Sequence, residues 1–197
     1  MKTIIQNLLA VMLMAASHQT HAQGLAYDQQ SATGPTSPIG NDFLNIQEDS
    51  PLLQSFIPTL SAIGFVQFEF WDIPNNGTNG ATVSVNLWTG SPSISSATFL
   101  SSTTPVYMPN GFANDGLGFA GVSAFYFSTL IALIPGQIYY LQPVVLSGDD
   151  PWDILVFDND IYPNGALFEK GFNTGGDLWF REGVVSVPEP STLVYSV

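Results

Sequence analysis

From Leu52 onward, the chain is built of short stretches in which apolar and polar residues alternate. A period of two residues is typical of a β-strand with one face against a core. Clusters of Gly, Asn, Asp, Pro and Ser separate these stretches at fairly even spacing, and no segment shows a convincing helical period. The pattern therefore predicts an all-β fold, either a sandwich or a barrel.

Three strands have a clear inward face. The predicted core residues are Val66, Phe68 and Phe70 in the first strand, Val83, Val85 and Leu87 in the second, and Leu178 and Phe180 in the last. Asn76-Gly77 and Asn79-Gly80 supply positive φ values for a tight turn, so we expect residues 62–72 to pair with residues 81–89 as a hairpin. Residues 122–134 and 138–146 are more continuously apolar, and their inward face is not assigned.

The two ends of the chain lack the strand pattern of its middle. Residues 1–22 have a positive start, an apolar core and small residues before Gln23, which predicts a signal peptide rather than a membrane anchor. Residues 23–50 show no period and predict an irregular N-terminal arm. Residues 51–185 form the predicted β domain, and residues 186–197 a tail. About 175 residues after the signal peptide suffice for one domain.

Charge and cysteine content exclude several classes of protein. The chain has a formal net charge of −13 and no cysteine, and after residue 22 its only basic residues are Lys170 and Arg181. Nucleic-acid affinity depends on several Lys or Arg contacts, so we expect no nucleic-acid partner. Thiol chemistry is excluded, and an exported chain of this kind depends on packing, alone or with a bound ion.

Catalytic residues are scarce. Both histidines lie in the predicted signal peptide, which removes His-dependent nucleophiles and His-ligated metals. A nucleophilic lysine would have to be Lys170, beside Glu169 in a predicted loop. A carboxylate pair acting as a glycosidase is the common mechanism left, with Glu69 and Glu182 as candidates. We expect a non-enzymatic protein.

Acidic residues between 147 and 160 are the densest set of oxygen ligands, which calcium prefers. Candidate ligands of a structural calcium are Asp149, Asp150, Asp158 and Asp160. The spacing does not match an EF-hand loop, so a solvated acidic loop is the alternative. Asn41 or Asp42 with backbone carbonyls is a second possible ion site.

A polar and aromatic set lies opposite the predicted core face. Aromatic planes with amides and a charged group suit a sugar ring, which stacks through its apolar face and presents hydroxyls. If the three strands belong to one sheet, this set forms a glycan-binding surface; alternatively, the arm or loops cover the tryptophans. The candidates are Gln67, Glu69, Trp71, Asn86, Trp88, Trp179 and Arg181.

Two resemblances add expectations. Val187-Pro-Glu-Pro-Ser-Thr192 resembles the sorting box of PEP-CTERM proteins, which Gram-negative bacteria export to the envelope, although the apolar helix and basic cluster of a full signal do not follow. Residues 54–58, 81–88, 135–141 and 177–181 look like the ordered motifs of a jelly-roll, carbohydrate-binding-module-like domain. These resemblances imply a two-sheet antiparallel β-sandwich of jelly-roll type and a structural calcium.

Taken together, the sequence predicts a module of the cell envelope or extracellular matrix, secreted or held at the envelope of a Gram-negative bacterium. Extracellular polysaccharide is its expected ligand, and the envelope sorting machinery is a partner if the tail is complete in the native gene. The alternatives are a purely structural acidic surface protein and a carboxylate-dependent glycosidase or lyase.

Overall fold

A computed structural model of the chain describes residues 24–34, 42–72, 79–113, 121–148 and 152–186. Within these ranges the chain forms β-strands and no helix, so no described helix is available to span a membrane. The strands are β1 (Gly24–Gln30), β2 (Asp42–Asn45), β3 (Leu52–Phe56), β4 (Ala62–Asp72), β5 (Ala81–Thr89), β6 (Thr98–Ser102), β7 (Val106–Met108), β8 (Gly121–Ala132), β9 (Tyr139–Gly148), β10 (Trp152–Phe157), β11 (Leu167–Glu169), β12 (Phe172–Asn173), β13 (Asp177–Leu178) and β14 (Phe180–Ser186).

The strands form two antiparallel sheets. Sheet A follows the order β1-β14-β4-β10-β13, with β2 also paired to β10 and β8 to β4. Sheet B follows the order β12-β11-β3-β9-β5-β6, with β7 also paired to β5. The predicted all-β, two-sheet antiparallel sandwich is therefore confirmed.

One apolar core lies between the two sheets. The inward residues predicted on β4, β5 and the last strands all belong to this single cluster, together with Phe125, Leu141 and Ile154. Alternation places these side chains on one face of each strand, and both sheets turn that face toward each other. The predicted core faces of these strands are thus correct.

The predicted hairpin between residues 62–72 and 81–89 is wrong. β4 pairs with β8, β10 and β14, whereas β5 pairs with β6, β7 and β9 in the other sheet. The predicted turn falls mostly in residues 73–78, which lie outside the described residues. The chain crosses from one sheet to the other between β4 and β5.

The described residues of the range 23–50, which are 24–34 and 42–50, contain two strands, in contrast to the irregular arm that we predicted. β1 pairs with β14 at one side of sheet A, and β2 pairs with β10 through the partners Phe43 and Leu155. Both strands are short or flanked by turn residues, so no apolar period marks them in the sequence. Residues of the predicted arm therefore extend the sandwich.

Ala26–Val184 forms one compact unit. Met1–Leu25 and Val185–Val197 form a second unit, of which four residues lie in the described ranges. Within it, Ser186 Oγ donates a hydrogen bond to the carbonyl oxygen of Gly24 (3.0 Å). The predicted signal peptide and PEP-CTERM-like tail fall outside the described residues and stay predictions.

Candidate functional site

The seven candidate residues for glycan binding lie on two different sheets. Gln67, Glu69 and Trp71 are on β4, and Trp179 and Arg181 follow β13; all five belong to sheet A or its connection. Asn86 and Trp88 are on β5 in sheet B. The continuous seven-residue surface that we expected therefore does not exist.

The N-terminal residues cover Trp179 and Arg181, which we had predicted to project outward. Trp179 is 0% exposed, and its Nε1 donates a hydrogen bond to the carbonyl oxygen of Gly34 (3.0 Å). Arg181 is 9% exposed, and its Nε donates to the carbonyl oxygen of Ala32 (2.9 Å). The guanidinium carbon lies 4.8 Å from the Trp179 ring centroid and 5.4 Å from that of Tyr27. This cation–π stack belongs to the covered outer face of sheet A.

The β4 candidates on the same face are also partly or fully covered. Glu69 is fully buried, and Trp71 is partly buried with its ring 5.2 Å from the Phe43 ring. Gln67 is partly buried and accepts a hydrogen bond from Tyr27 Oη (3.2 Å). Strand alternation identified this as the face opposite the core, but β1 and β2 bring side chains onto it. Sheet A therefore offers no open aromatic surface at these positions.

Asn86 and Trp88 lie on the outer face of sheet B, since their neighbours Val85 and Leu87 belong to the core. The register of β5 with β9 places Asn86 opposite Gln142 and Trp88 opposite Tyr140. On its other side, β6 contributes further residues to this face.

We call this group the aromatic–amide cluster. Its members are Asn86, Trp88, Phe99, Ser102 and Gln142.

Hydrogen bonds fix the polar side chains of the cluster. Gln142 Oε1 accepts from Trp88 Nε1 (2.9 Å) and from Asn86 Nδ2 (3.3 Å). Ser102 Oγ in turn donates to Asn86 Oδ1. Asn86 and Ser102 retain further hydrogen-bonding capacity, because an Asn amide offers two donor hydrogens and two acceptor lone pairs and a hydroxyl can also accept. Gln142 is 7% exposed and holds its two neighbours in place. The cluster is thus preorganised, with polar groups beside an aromatic ring.

Phe99 is the exposed partner of Trp88. Its ring meets the indole edge-to-face, with centroids 5.2 Å apart and an interplanar angle of 71°, and it is 50% exposed. The ladder of β5 and β6 shifts register between Leu87 and Trp88, so that Trp88 lies opposite Phe99 rather than Leu100. Such a bulge changes the direction of local side chains, and here it brings the two aromatic rings together.

The outer face of sheet B extends along β5 from the cluster. Tyr107 on β7 lies opposite Thr82 and is 65% exposed. Thr82 and Trp88 are six residues apart on one strand, a distance of roughly 20 Å at about 3.3 Å per residue. Aromatic residues therefore lie at both ends of a surface long enough for several linked sugar rings.

Glu69 and Glu182 do not form a catalytic pair. Glu182 lies opposite Val66 in the β14–β4 register, and Val66 belongs to the core. Glu69 is three residues beyond Val66 on β4, so its side chain is on the other face of sheet A. The backbone of the sheet separates the two carboxyl groups, which is incompatible with their flanking a single glycosidic bond.

The Glu182 carboxyl is buried in the core. It is 0% exposed, and neither oxygen makes a hydrogen bond with a described residue. Burial raises the pKa of Glu182 to about 9, and the negative charge of Asp28 raises it further. The backbone N–H of Gln29 lowers the pKa, although its geometry does not meet the criteria of a hydrogen bond. At neutral pH this carboxyl is protonated.

The calcium candidates are only partly described. Asp149 and Asp150 lie outside the described residues, and Asp158 and Asp160 are exposed. Asp158 lines a cleft of about 150 Å³ with Asp42 and Glu169. However, no three described Asp or Glu residues are grouped closely enough to hold a metal ion. Because half of the predicted ligands lie outside the described residues, the calcium site stays a prediction. The second possible site, at Asn41 or Asp42, stays one too, since Asn41 is also outside them.

A buried acidic group lies next to β2. Asp153 is 8% exposed and faces Asn45 and Trp71 on the neighbouring strands. Its pKa is raised to about 6, first by burial and then by the charges of Asp49, Glu48 and Asp42. This carboxyl changes charge near neutral pH.

Gln54 and Asp177 form a polar contact between the sheets. Gln54 Nε2 donates to Asp177 Oδ1 (2.9 Å), and the backbone N–H of Leu178 donates to Gln54 Oε1 (2.7 Å). The backbone N–H groups of Ile161 and Tyr162 both donate to Asp177 Oδ2 (2.9 Å each). Asp177 is therefore a structural carboxylate.

The sequence predicted two members of the aromatic–amide cluster, Asn86 and Trp88, but not the other three. Gln142 lies in a run whose inward face the sequence did not assign, and Phe99 and Ser102 lie in a short strand with no clear alternation. Comparison of the chain with family models, with curated proteins and with solved structures finds no match.

Proposed function

We propose that this chain is an exported, non-enzymatic β-sandwich module of the envelope or extracellular matrix that binds polysaccharide on the outer face of sheet B. Support for export comes from the predicted signal peptide and the PEP-CTERM-like box. Support for binding comes from the aromatic–amide cluster. The absence of histidine after residue 22 and the separation of Glu69 from Glu182 favour a binding role over catalysis.

The observation that carries the proposal is the Trp88–Phe99 pair beside Asn86 and Gln142. Carbohydrate recognition uses aromatic rings for the apolar face of a sugar and fixed polar groups for its hydroxyls. Both kinds of group occur here on one face of sheet B, and the polar groups are already held by hydrogen bonds. Such preorganisation lowers the entropic cost of binding.

The test is polysaccharide binding by the full chain, measured by a glycan array and then by isothermal titration calorimetry. Trp88→Ala removes one ring of the pair and should weaken binding at least about tenfold, which corresponds to about 1.4 kcal/mol. Trp71→Ala is the matched control, because it removes a partly buried tryptophan from the outer face of sheet A. We expect Trp71→Ala to leave the affinity within about twofold.

Two results would overturn the proposal. If no polysaccharide binds above background, the alternative of a purely structural acidic surface protein gains support. If binding occurs but Trp88→Ala and Trp71→Ala weaken it equally, the ligand is not held by the aromatic–amide cluster. Circular dichroism of both variants shows whether the sandwich is intact.

A further inference from the structure

We infer that the outer face of sheet B selects uncharged polysaccharides, built of hexoses or N-acetylhexosamines, and discriminates against polymers that carry carboxylate or sulfate groups. This inference rests on the proposed binding function and specifies its ligand class. It follows from where the charged residues of the chain lie.

The face itself carries almost no charge. The strands β3, β5, β6, β7 and β9 contain no Asp, Glu, Lys or Arg. Of the two other described strands of sheet B, β12 has no charged residue and β11 has one, Glu169. The polar groups near Trp88 are amides and hydroxyls, which are neutral. Neutral donors and acceptors match sugar hydroxyls and form ordinary hydrogen bonds with them.

Neither basic residue of the chain after residue 22 lies near Trp88: Lys170 is in the turn between β11 and β12, at the edge of sheet B away from β5. Lys170 Nζ lies 3.1 Å from Glu169 Oε1 and 3.5 Å from Asp49 Oδ1. Arg181 belongs to sheet A, where it is buried and stacked on Trp179. Carboxylates and sulfates are recognised mainly through charge-assisted bonds to Lys or Arg. The strands around Trp88 carry no group of that kind.

The overall negative charge of the chain also weakens the binding of anionic polysaccharides. A formal net charge of −13 produces a negative potential that opposes the approach of a polyanion, and the effect grows as salt is removed. A neutral polysaccharide experiences no such repulsion. Discrimination therefore has two sources, the missing cation at the face and the negative potential around it.

The experiment compares hexasaccharides of equal length, using the full chain and isothermal titration calorimetry. The neutral set comprises glucose, mannose and N-acetylglucosamine oligomers, and the anionic set comprises mannuronate and galacturonate oligomers. Each is titrated at about 0.01 M and about 1 M salt, where the Debye length is about 30 Å and about 3 Å. The titrations are repeated with added calcium and with Trp88→Ala.

We expect at least one neutral hexasaccharide to bind with an affinity that changes less than about twofold between the two salt concentrations. Trp88→Ala should weaken that binding about tenfold or more, and each uronate oligomer should bind at least about tenfold more weakly at low salt.

A uronate oligomer that binds as tightly as any neutral one at low salt and loses affinity in Trp88→Ala would overturn the inference while leaving the proposed function intact. Uronate binding that appears with added calcium and depends on Trp88 would overturn it as well, because the ion would then supply the missing positive charge. If none of the oligomers or the polysaccharides of the array binds, the proposed function itself fails.

Discussion

Replacing Glu182 by glutamine should remove much of the pH dependence of folding stability. The Glu182 carboxyl lies in the core opposite Val66, and its pKa in the folded protein is about 9, compared with an ordinary value of 4.5. Between these two values the folded chain retains a proton that the unfolded chain releases. Stability from this group is therefore present at low pH and is lost as the pH rises from about 5 to about 9.

The size of this effect follows from the two pKa values. Each pKa unit corresponds to about 1.4 kcal/mol, so raising the pH from about 5 to about 8 should lower the free energy of unfolding by about 4 kcal/mol through Glu182 alone. Native domains are typically stable by about 5–15 kcal/mol, so this loss is easily measurable. Glu182→Gln is nearly isosteric and has no proton to release, so it should lack this contribution.

The assay is urea unfolding, followed by circular dichroism, of the wild type and Glu182→Gln at several pH values. Because Asp153 and Asp177 also have raised pKa values, the informative quantity is the difference between the two proteins at each pH. This difference should grow by about 4 kcal/mol from about pH 5 to about pH 8 in favour of the variant. Asp158→Asn, which removes an exposed carboxylate, is the control and should follow the wild type within about 1 kcal/mol.

A difference between wild type and Glu182→Gln that stays constant over this pH range would refute the reasoning. Such a result would mean that the Glu182 carboxyl has an ordinary pKa in the folded chain. Water or a compensating polar group would then have to reach it. The test does not depend on the absolute stability of either protein.

Three further changes test the packing of the sandwich by urea unfolding. Trp179→Ala should cost about 3–5 kcal/mol, since a fully buried indole is removed; a cost below about 1 kcal/mol would show that the N-terminal residues do not cover it. Gln54→Leu removes the hydrogen-bond partner of Asp177 Oδ1 and of the buried Leu178 backbone N–H, so we expect a loss of about 2–4 kcal/mol, and an unchanged midpoint would contradict the assigned hydrogen bonds. At Gly183 an added Cβ would lie 2.0 Å from the carbonyl oxygen of Ala26, so Gly183→Ala should destabilise by about 1–3 kcal/mol, whereas an equally stable variant would argue against this close approach.

The strand pattern allowed the fold class and the core faces to be predicted, but not the pairing of strands. Alternation shows which residues of a strand face inward, and both sheets of a sandwich have inward faces of the same appearance. β4 and β5 therefore looked like neighbours in one sheet, and the Asn-Gly pairs between them supported a hairpin. Pairing depends on contacts distant in sequence, such as β4 with β14, which no local pattern records.

For a related reason, the sequence predicted which face of the strand the candidate residues occupy but not whether that face is exposed. Trp179 and Arg181 do lie on the face opposite the core, as their alternation indicates, but a second layer formed by the N-terminal residues covers that face. Asn86 and Trp88 lie on a face where exposed Phe99 and Tyr107 remain accessible. The exposure of an outer face depends on whether segments without a strand period pack against it. Residues 24–34 have no such period, so their packing on sheet A could not be predicted from the sequence.

The pairing of β1 with β14 determines when this protein can complete its folding. Ser31, which directly follows β1, accepts a hydrogen bond from the backbone N–H of Phe180, 149 residues further along the chain. Closing so long a loop is entropically costly, and contacts of such high sequence separation are associated with slow folding. During synthesis, sheet A lacks the strand between β1 and β4 until β14 has emerged. A nascent chain that ends before β14 therefore has an incomplete sandwich. Under the export that we propose, translocation that begins by then requires no prior unfolding of the native sandwich.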